Sequence, residues 1–210
     1  MNLKKDQFSN ISQNFTNVEF VVEDGSLTIN PKSITPDGPD TPKEEKTGIT
    51  VTDPENSIYD GNEHINGLTV TDSKLNTTLA EGTDYTLTYS GDLINVGTVT
   101  ITIKGIGNYT GEFTKTYKIT PKEYTVTTDS AKKVYDGTAL TAGGKVEGIV
   151  SGETVEFTAT GSRTDEGTSK NTYSLKWNGS AIETNYKLEK ESIGELTVKS
   201  KSIIPDEPNT

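Results

Sequence analysis

The sequence predicts an all-β chain of small tandem modules, each a β-sandwich or a related open β fold, and three observations carry that expectation. Apolar residues alternate with Thr and Lys at period two, and no window has the spacing of an amphipathic helix. Turn residues (20 Gly and 8 Pro) fall between the alternating runs. The chain also repeats itself. Residues Ile193–Asp206 align without a gap on Asp24–Asp37, at a constant offset of 169 (206 minus 37). Ile58-Tyr59-Asp60-Gly61 returns as Val134-Tyr135-Asp136-Gly137, 76 positions later (134 minus 58). Nested periods of this kind mark tandem arrays.

Residues 1–34 read as the C-terminal strands of a truncated preceding repeat. Val18, Phe20 and Val22 share one face, Gly25 turns the chain, and Leu27 and Ile29 begin the return. Residues 35–47 form a Pro-rich, acidic linker expected to be extended. The first complete β module covers 48–121. Its strands are signalled by Tyr85, Leu87 and Tyr89, by Val99, Ile101 and Ile103, and by Phe113, Tyr117 and Ile119.

The second module, 122–201, follows almost at once, so the pair is expected to be semi-rigid. Tyr124 with Val126, Val155 with Phe157, Tyr173 with Leu175 and Trp177, Tyr186 with Leu188, and Leu196 with Val198 mark its strands. Asn178-Gly179 is a two-residue hairpin signal, because a type I′ turn needs positive φ at both positions. Residues 202–210 begin the next linker. Six to eight short strands are expected in each module.

Composition narrows the function classes. Counted with Gly and without Tyr, apolar residues are about 35% of the 210, below the 45–50% usual in globular domains. That suits strands with one wet face. The net charge of −11, with no basic cluster, disfavours nucleic-acid binding. Cys is absent, which excludes disulfides, thiolate metal sites and Cys nucleophiles. No run is long and apolar enough to span a membrane. Met1–Asp6 resembles the start of a signal peptide, but polar residues follow where the apolar run belongs. An export signal and anchor are expected outside this chain.

No catalytic, cofactor-binding or metal residue is assigned. His64 is the only His and reads as solvated, so a His-based triad or two-His metal site is excluded. The Tyr-Asp-Gly elements read as architecture. Tyr packs at a core edge, Asp accepts backbone N–H bonds, and Gly supplies positive φ. Asn108-Tyr109 and Asn185-Tyr186 read as loop-to-strand corners with buried tyrosines. Trp177 reads first as a core residue and second as a sugar-stacking platform. Asp53, Glu55, Asp165 and Glu166 offer oxygen ligands but not Ca²⁺-loop spacing. A Lys–Asn crosslink would need a buried Lys, Asn and acid in contact.

Lys133-Val-Tyr-Asp-Gly-Thr138, Asp165-Glu-Gly-Thr168, Asn185-Tyr186 and Gly194-Glu-Leu-Thr-Val198 resemble the YDG repeat family of bacterial surface proteins. Ile58-Tyr-Asp-Gly61, Glu81-Gly-Thr-Asp-Tyr85, Asn95-Val-Gly-Thr98 and Gly107-Asn-Tyr-Thr-Gly111 are similar to the Ig-like or "mostly beta" (MBG-type) repeats of such proteins. The resemblance implies Ig-like β-sandwich modules, or alternatively mostly-β grasp-like ones, in an elongated array. It further implies an extracellular, non-enzymatic spacer of an adhesin-like protein at the bacterial cell surface, projecting a distal binding domain. Alternative expectations are a module that itself binds a host glycan or matrix protein, and an accessory region of a secreted enzyme. Strand-mediated self-association through residues 1–34 is a further expectation.

Overall fold

In a computed structural model that describes residues 4–23, 25–178 and 180–203, the chain folds as 17 strands with two short 3₁₀ turns. No α-helix occurs among the described residues, so none there is long and apolar enough to cross a membrane. Strand pairing divides the protein at Pro121: among the described residues, no ladder joins a residue before it to one after it.

The first strand set comprises β1 (Lys32–Ser33), β2 (Ile49–Val51), β3 (Ser57–Ile58), β4 (Val70–Asp72), β5 (Thr77–Thr78), β6 (Tyr85–Ser90), β7 (Gly97–Gly105), β8 (Tyr109–Thr110) and β9 (Glu112–Thr120). Its main sheet has the order β3-β9-β7-β6, β2-β4-β5 make a second sheet, and β1 lies parallel to β8. The alternation of β7 explains its central place. Val99, Ile101 and Ile103 are fully buried on one face, and the intervening threonines point the other way. Opposite Ile101 sits Lys115, whose stem lies along that face while its ammonium reaches Asp53 at 2.5 Å. Ile34, Ile49, Tyr59, Val70, Leu79, Tyr85, Tyr109, Tyr117 and Ile119 complete a continuous core.

The second set comprises β10 (Lys122–Thr128), β11 (Ala131–Val134), β12 (Gly144–Glu147), β13 (Thr154–Ala159), β14 (Gly167–Lys170), β15 (Tyr173–Asn178), β16 (Tyr186–Ser192) and β17 (Glu195–Lys199). They form sheets of order β12-β10-β16 and β11-β17-β14, and a β13-β15 pair. Here β10 runs parallel to β16, and β11 parallel to β17. This core is thinner: Val126, Leu196 and Val198 are its fully buried aliphatics. Buried Asn171 compensates in part. Its Nδ2 donates to the backbone carbonyls of Asp129 and Gly143 at 3.0 and 3.1 Å, tying two loops together.

Three expectations need correction. The strand pair expected over Val18–Ile29 does not form among the described residues. Val21, Leu27 and Ile29 are 79%, 91% and 86% exposed. Alternation alone does not hold a two-stranded ribbon without a sheet or core to receive it. Lys32–Ile34, read with the preceding repeat, instead joins the first strand set, and Ile34 is fully buried there.

The linker after it is a closed loop rather than an extended one. The Asp37 carboxylate accepts bonds from the backbone N–H of Thr47 (2.7 Å) and Gly48 (2.9 Å) and from the Thr47 hydroxyl (2.9 Å). Finally, β15 pairs with the preceding β13 rather than with the following β16. The turn expected at Asn178-Gly179 includes Gly179, which lies outside the described residues.

Candidate functional site

The most elaborate side-chain constellation lies where the two sets meet, and strand ends position it. The chain passes from β9 to β10 through Pro121 alone. Because β3 runs parallel to β9, Tyr59 follows β3 beside the end of that strand, and its N–H donates to the Thr120 carbonyl at 2.9 Å. Because β16 runs parallel to β10, Tyr186 starts opposite Lys122. The two tyrosines therefore flank the crossing. Their rings meet edge to face with centroids 5.6 Å apart, a geometry that stabilises by about 0.5–1.5 kcal/mol beyond area burial.

Glu153 binds both phenols. Tyr59 donates to its Oε1 and Tyr186 to its Oε2, the latter at 2.5 Å. An ionised carboxylate only accepts, so the two hydroxyl protons suit it. Tyr186 Oη also accepts the Val150 N–H at 3.1 Å. Burial first, and then the bond to Glu153, hold both phenols above the usual tyrosine pKa. Asn185, only 1% exposed, adds a second lock. Its Oδ1 accepts the Val96 N–H at 2.9 Å, and its Nδ2 donates to Asn95 Oδ1 at 2.7 Å.

Both Tyr-Asp-Gly turns have the expected backbone. Asp60 accepts the Asn62 N–H and Asp136 the Thr138 N–H, each at 2.9 Å, and Gly61 and Gly137 take φ of 82° and 80°. The tyrosines differ. Tyr59 is buried under the second set, whereas Tyr135 is 42% exposed, so the core-edge expectation applies to one only. Both Asn-Tyr corners do bury their tyrosine. His64, expected to be solvated, is only 15% exposed in its side chain. Its Nε2 lies 3.2 Å from Asp60 Oδ1, and its carbonyl accepts the Tyr117 hydroxyl.

A second constellation secures β1. Asp72 is fully buried, and its Oδ2 accepts from Lys32 Nζ at 2.5 Å and the Tyr109 hydroxyl at 3.2 Å. Its Oδ1 accepts the N–H groups of Lys74 and Leu75. Burial pushes this carboxyl up, but the Lys32 bond, the backbone bonds and the Lys32 charge outweigh it, and the net shift is downward. Sequence reading missed this pair. The available signal was the Lys-Ser-Ile triplet, which occurs at both 32–34 and 201–203.

Trp177 is half-buried and packs against the edge of the core. It stacks on Tyr186 at 5.1 Å and meets Tyr124 edge-on at 5.5 Å. Beside it opens a groove of about 570 Å³ whose lining includes Tyr124, Tyr173, Glu183 and Glu191. Tyr173 donates to Glu191 at 2.6 Å, and burial together with that bond raises its pKa to about 12.

Among the described residues, no cluster of three or more His, Asp or Glu is placed to hold a metal ion. Asp53 is paired with Lys115, and the Glu166 carbonyl accepts from Arg163. The buried Asn171 and Asn185 bond to loop backbone groups and to Asn95, and neither has a lysine ammonium among its hydrogen-bond partners. No protein-family model matches the chain, and no curated protein matches its sequence.

Proposed function

We propose that the chain is a non-enzymatic spacer segment of a bacterial cell-surface, adhesin-like protein, with two tandem Ig-like or mostly-β grasp-like modules that help project a distal binding domain. The observation that supports this most is the joint. A one-residue crossing at Pro121 is clamped by Tyr59, Glu153 and Tyr186 and again by Asn95 and Asn185. A spacer loses reach if its units fold back on one another, and a locked crossing prevents that. The repeats at offsets 76 and 169 and the resemblance to YDG and mostly-β repeats point the same way. Small-angle scattering tests the reading. The expected profile is that of a stiff, elongated particle, with a broader distance distribution in Glu153→Ala. A compact wild-type particle refutes it.

One observation favours a second reading, a module that itself binds a host glycan or extracellular protein. The Trp177 groove combines aromatic faces with carboxylates, a pairing suited to sugar rings and hydroxyls. Glycan-array binding by the chain, abolished in Trp177→Ala while the fold is kept, would establish it. An empty array would remove the glycan form of this reading, and a parallel matrix-protein panel decides the protein form.

A further inference from the structure

The repeat at offset 169 continues through Thr210. Lys32–Thr41 reads Lys-Ser-Ile-Thr-Pro-Asp-Gly-Pro-Asp-Thr, and Lys201–Thr210 reads Lys-Ser-Ile-Ile-Pro-Asp-Glu-Pro-Asn-Thr. Seven of the ten positions are identical. In the first copy the shared residues do specific things. Lys32 neutralises the buried Asp72, Ile34 fills the core, and Asp37 closes the loop onto Thr47 and Gly48. The backbone supplies the rest. The Lys32 N–H donates to the Asn108 carbonyl and the Ile34 N–H to the Thr110 carbonyl, both at 2.8 Å. In the second copy Ile203 is 93% exposed. A β-branched side chain that is wholly buried at one site and bare at its repeat is an unsatisfied half of a known contact.

We propose that Lys201–Ile203 is a joining strand whose receptor is the Tyr109–Thr110 edge, with Asp72 beneath it, of the first module in a second copy of this chain. The receptor asks for a parallel backbone in a set register, an ammonium that reaches a buried carboxylate, and an aliphatic chain two residues later. The second copy offers all of these at the same spacing, with Asp206 at the position of Asp37. The receptor is filled within one chain by Lys32–Ile34, so an incoming Lys201–Ile203 has to displace an equivalent strand and competes best where the resident strand is weakened. Specificity comes from that fit, because a net charge of −11 makes two copies repel in general. The proposal rests on the tandem-module reading and says how one pair of modules hands over to the next.

The test uses the full chain and a synthetic peptide of residues 198–210. Ile34→Ala weakens the resident strand, and the variant is expected to melt about 5 °C or more below wild type. Millimolar peptide is expected to recover several degrees of that loss and to leave wild type unchanged. A peptide carrying Lys201→Glu and Ile203→Asp is expected to recover nothing. If Ile34→Ala does not fold alone, peptide-induced folding followed by circular dichroism distinguishes the same outcomes. No recovery, or equal recovery with the altered peptide, overturns the proposal.

A second variant tests the receptor independently. Thr35→Ile makes the resident strand read as residues 201–206 do, and it is expected to melt within about 2 °C of wild type. A large loss would show that the receptor rejects the second copy. Failure in these assays leaves the spacer reading standing, because scattering decides that separately.

Discussion

The two Tyr-Asp-Gly turns occupy the same place in their strand sets and meet different surroundings. Each follows a strand that runs parallel to the last strand of its set, β3 beside β9 and β11 beside β17. Each tyrosine donates its N–H to the final residue of that strand, Tyr59 to Thr120 and Tyr135 to Lys199. The turn geometry is the same within 2° in the glycine φ. Yet Tyr59 is 3% exposed and Tyr135 42%. The turn therefore sets where the tyrosine sits, and a neighbouring strand set decides whether it is buried. A repeated motif can be identical in backbone and unequal in energy.

Substituting the tyrosines gives the largest expected contrast. Tyr59→Ala removes a buried ring and one of the two phenols on Glu153, and should destabilise by about 3–5 kcal/mol. Tyr135→Ala should cost about 1 kcal/mol or less, as exposed substitutions do. Urea unfolding of both variants measures the gap, and equal losses would break the comparison. Glu153→Gln comes next. It keeps the shape but replaces a charged acceptor by a neutral one, at an expected cost of about 1–3 kcal/mol. The loss should shrink markedly in a Tyr59→Phe, Tyr186→Phe background, which a double-mutant cycle reads directly.

High pH is a milder probe of the same joint. Both joint phenols titrate above the unfolded value of about 10, so folding favours their protonated forms. Their contribution is complete below pH 10 and is lost as pH rises through the raised values. Melting temperature should therefore fall above pH 10, and less steeply in Tyr186→Phe. The smallest effects belong to the turn carboxylates. Asp60→Asn weakens the Asn62 N–H bond and the contact with His64, and Asp136→Asn weakens the bonds from the Thr138 N–H and hydroxyl and the exposed pair with Lys133, so both should lower the melting temperature slightly. A much larger drop for Asp60→Asn would mean that the turn itself, not the covering set, carries the asymmetry.

Much of the sheet structure was legible because it is written in local periodicity. Val99, Ile101 and Ile103, Phe113, Tyr117 and Ile119, and Leu196 with Val198 all lie on strands where their alternation placed them. Strands β11, β12 and β14 were harder, since Ala-Lys-Lys-Val, Gly-Lys-Val-Glu and Gly-Thr-Ser-Lys carry little apolar signal and form through their pairing partners. The reverse failure occurred at Val18–Ile29, where alternation is present but, among the described residues, no sheet receives it.

The joint was invisible for another reason. Glu153 lies 94 residues from Tyr59, and Asn185 lies 90 from Asn95. Single polar residues that meet over such distances leave no periodic trace. The Tyr-Asp-Gly echo marked one side of the crossing without naming the other.

The parallel pairing of β11 with β17 also determines how the second strand set responds to pulling. Tension along the chain enters at the start of β10 and leaves at the end of β17. Parallel neighbours drawn in opposite directions slide lengthwise, so the bonds between Ala131–Val134 and Leu196–Lys199 are loaded together rather than opened one after another. The β10–β16 ladder, also parallel, shares the load over a longer contact that runs from Lys122 to Thr127. A ladder strained in shear yields only when many bonds fail at once. A set with a thin hydrophobic core is thereby given resistance to force that its equilibrium stability would not suggest.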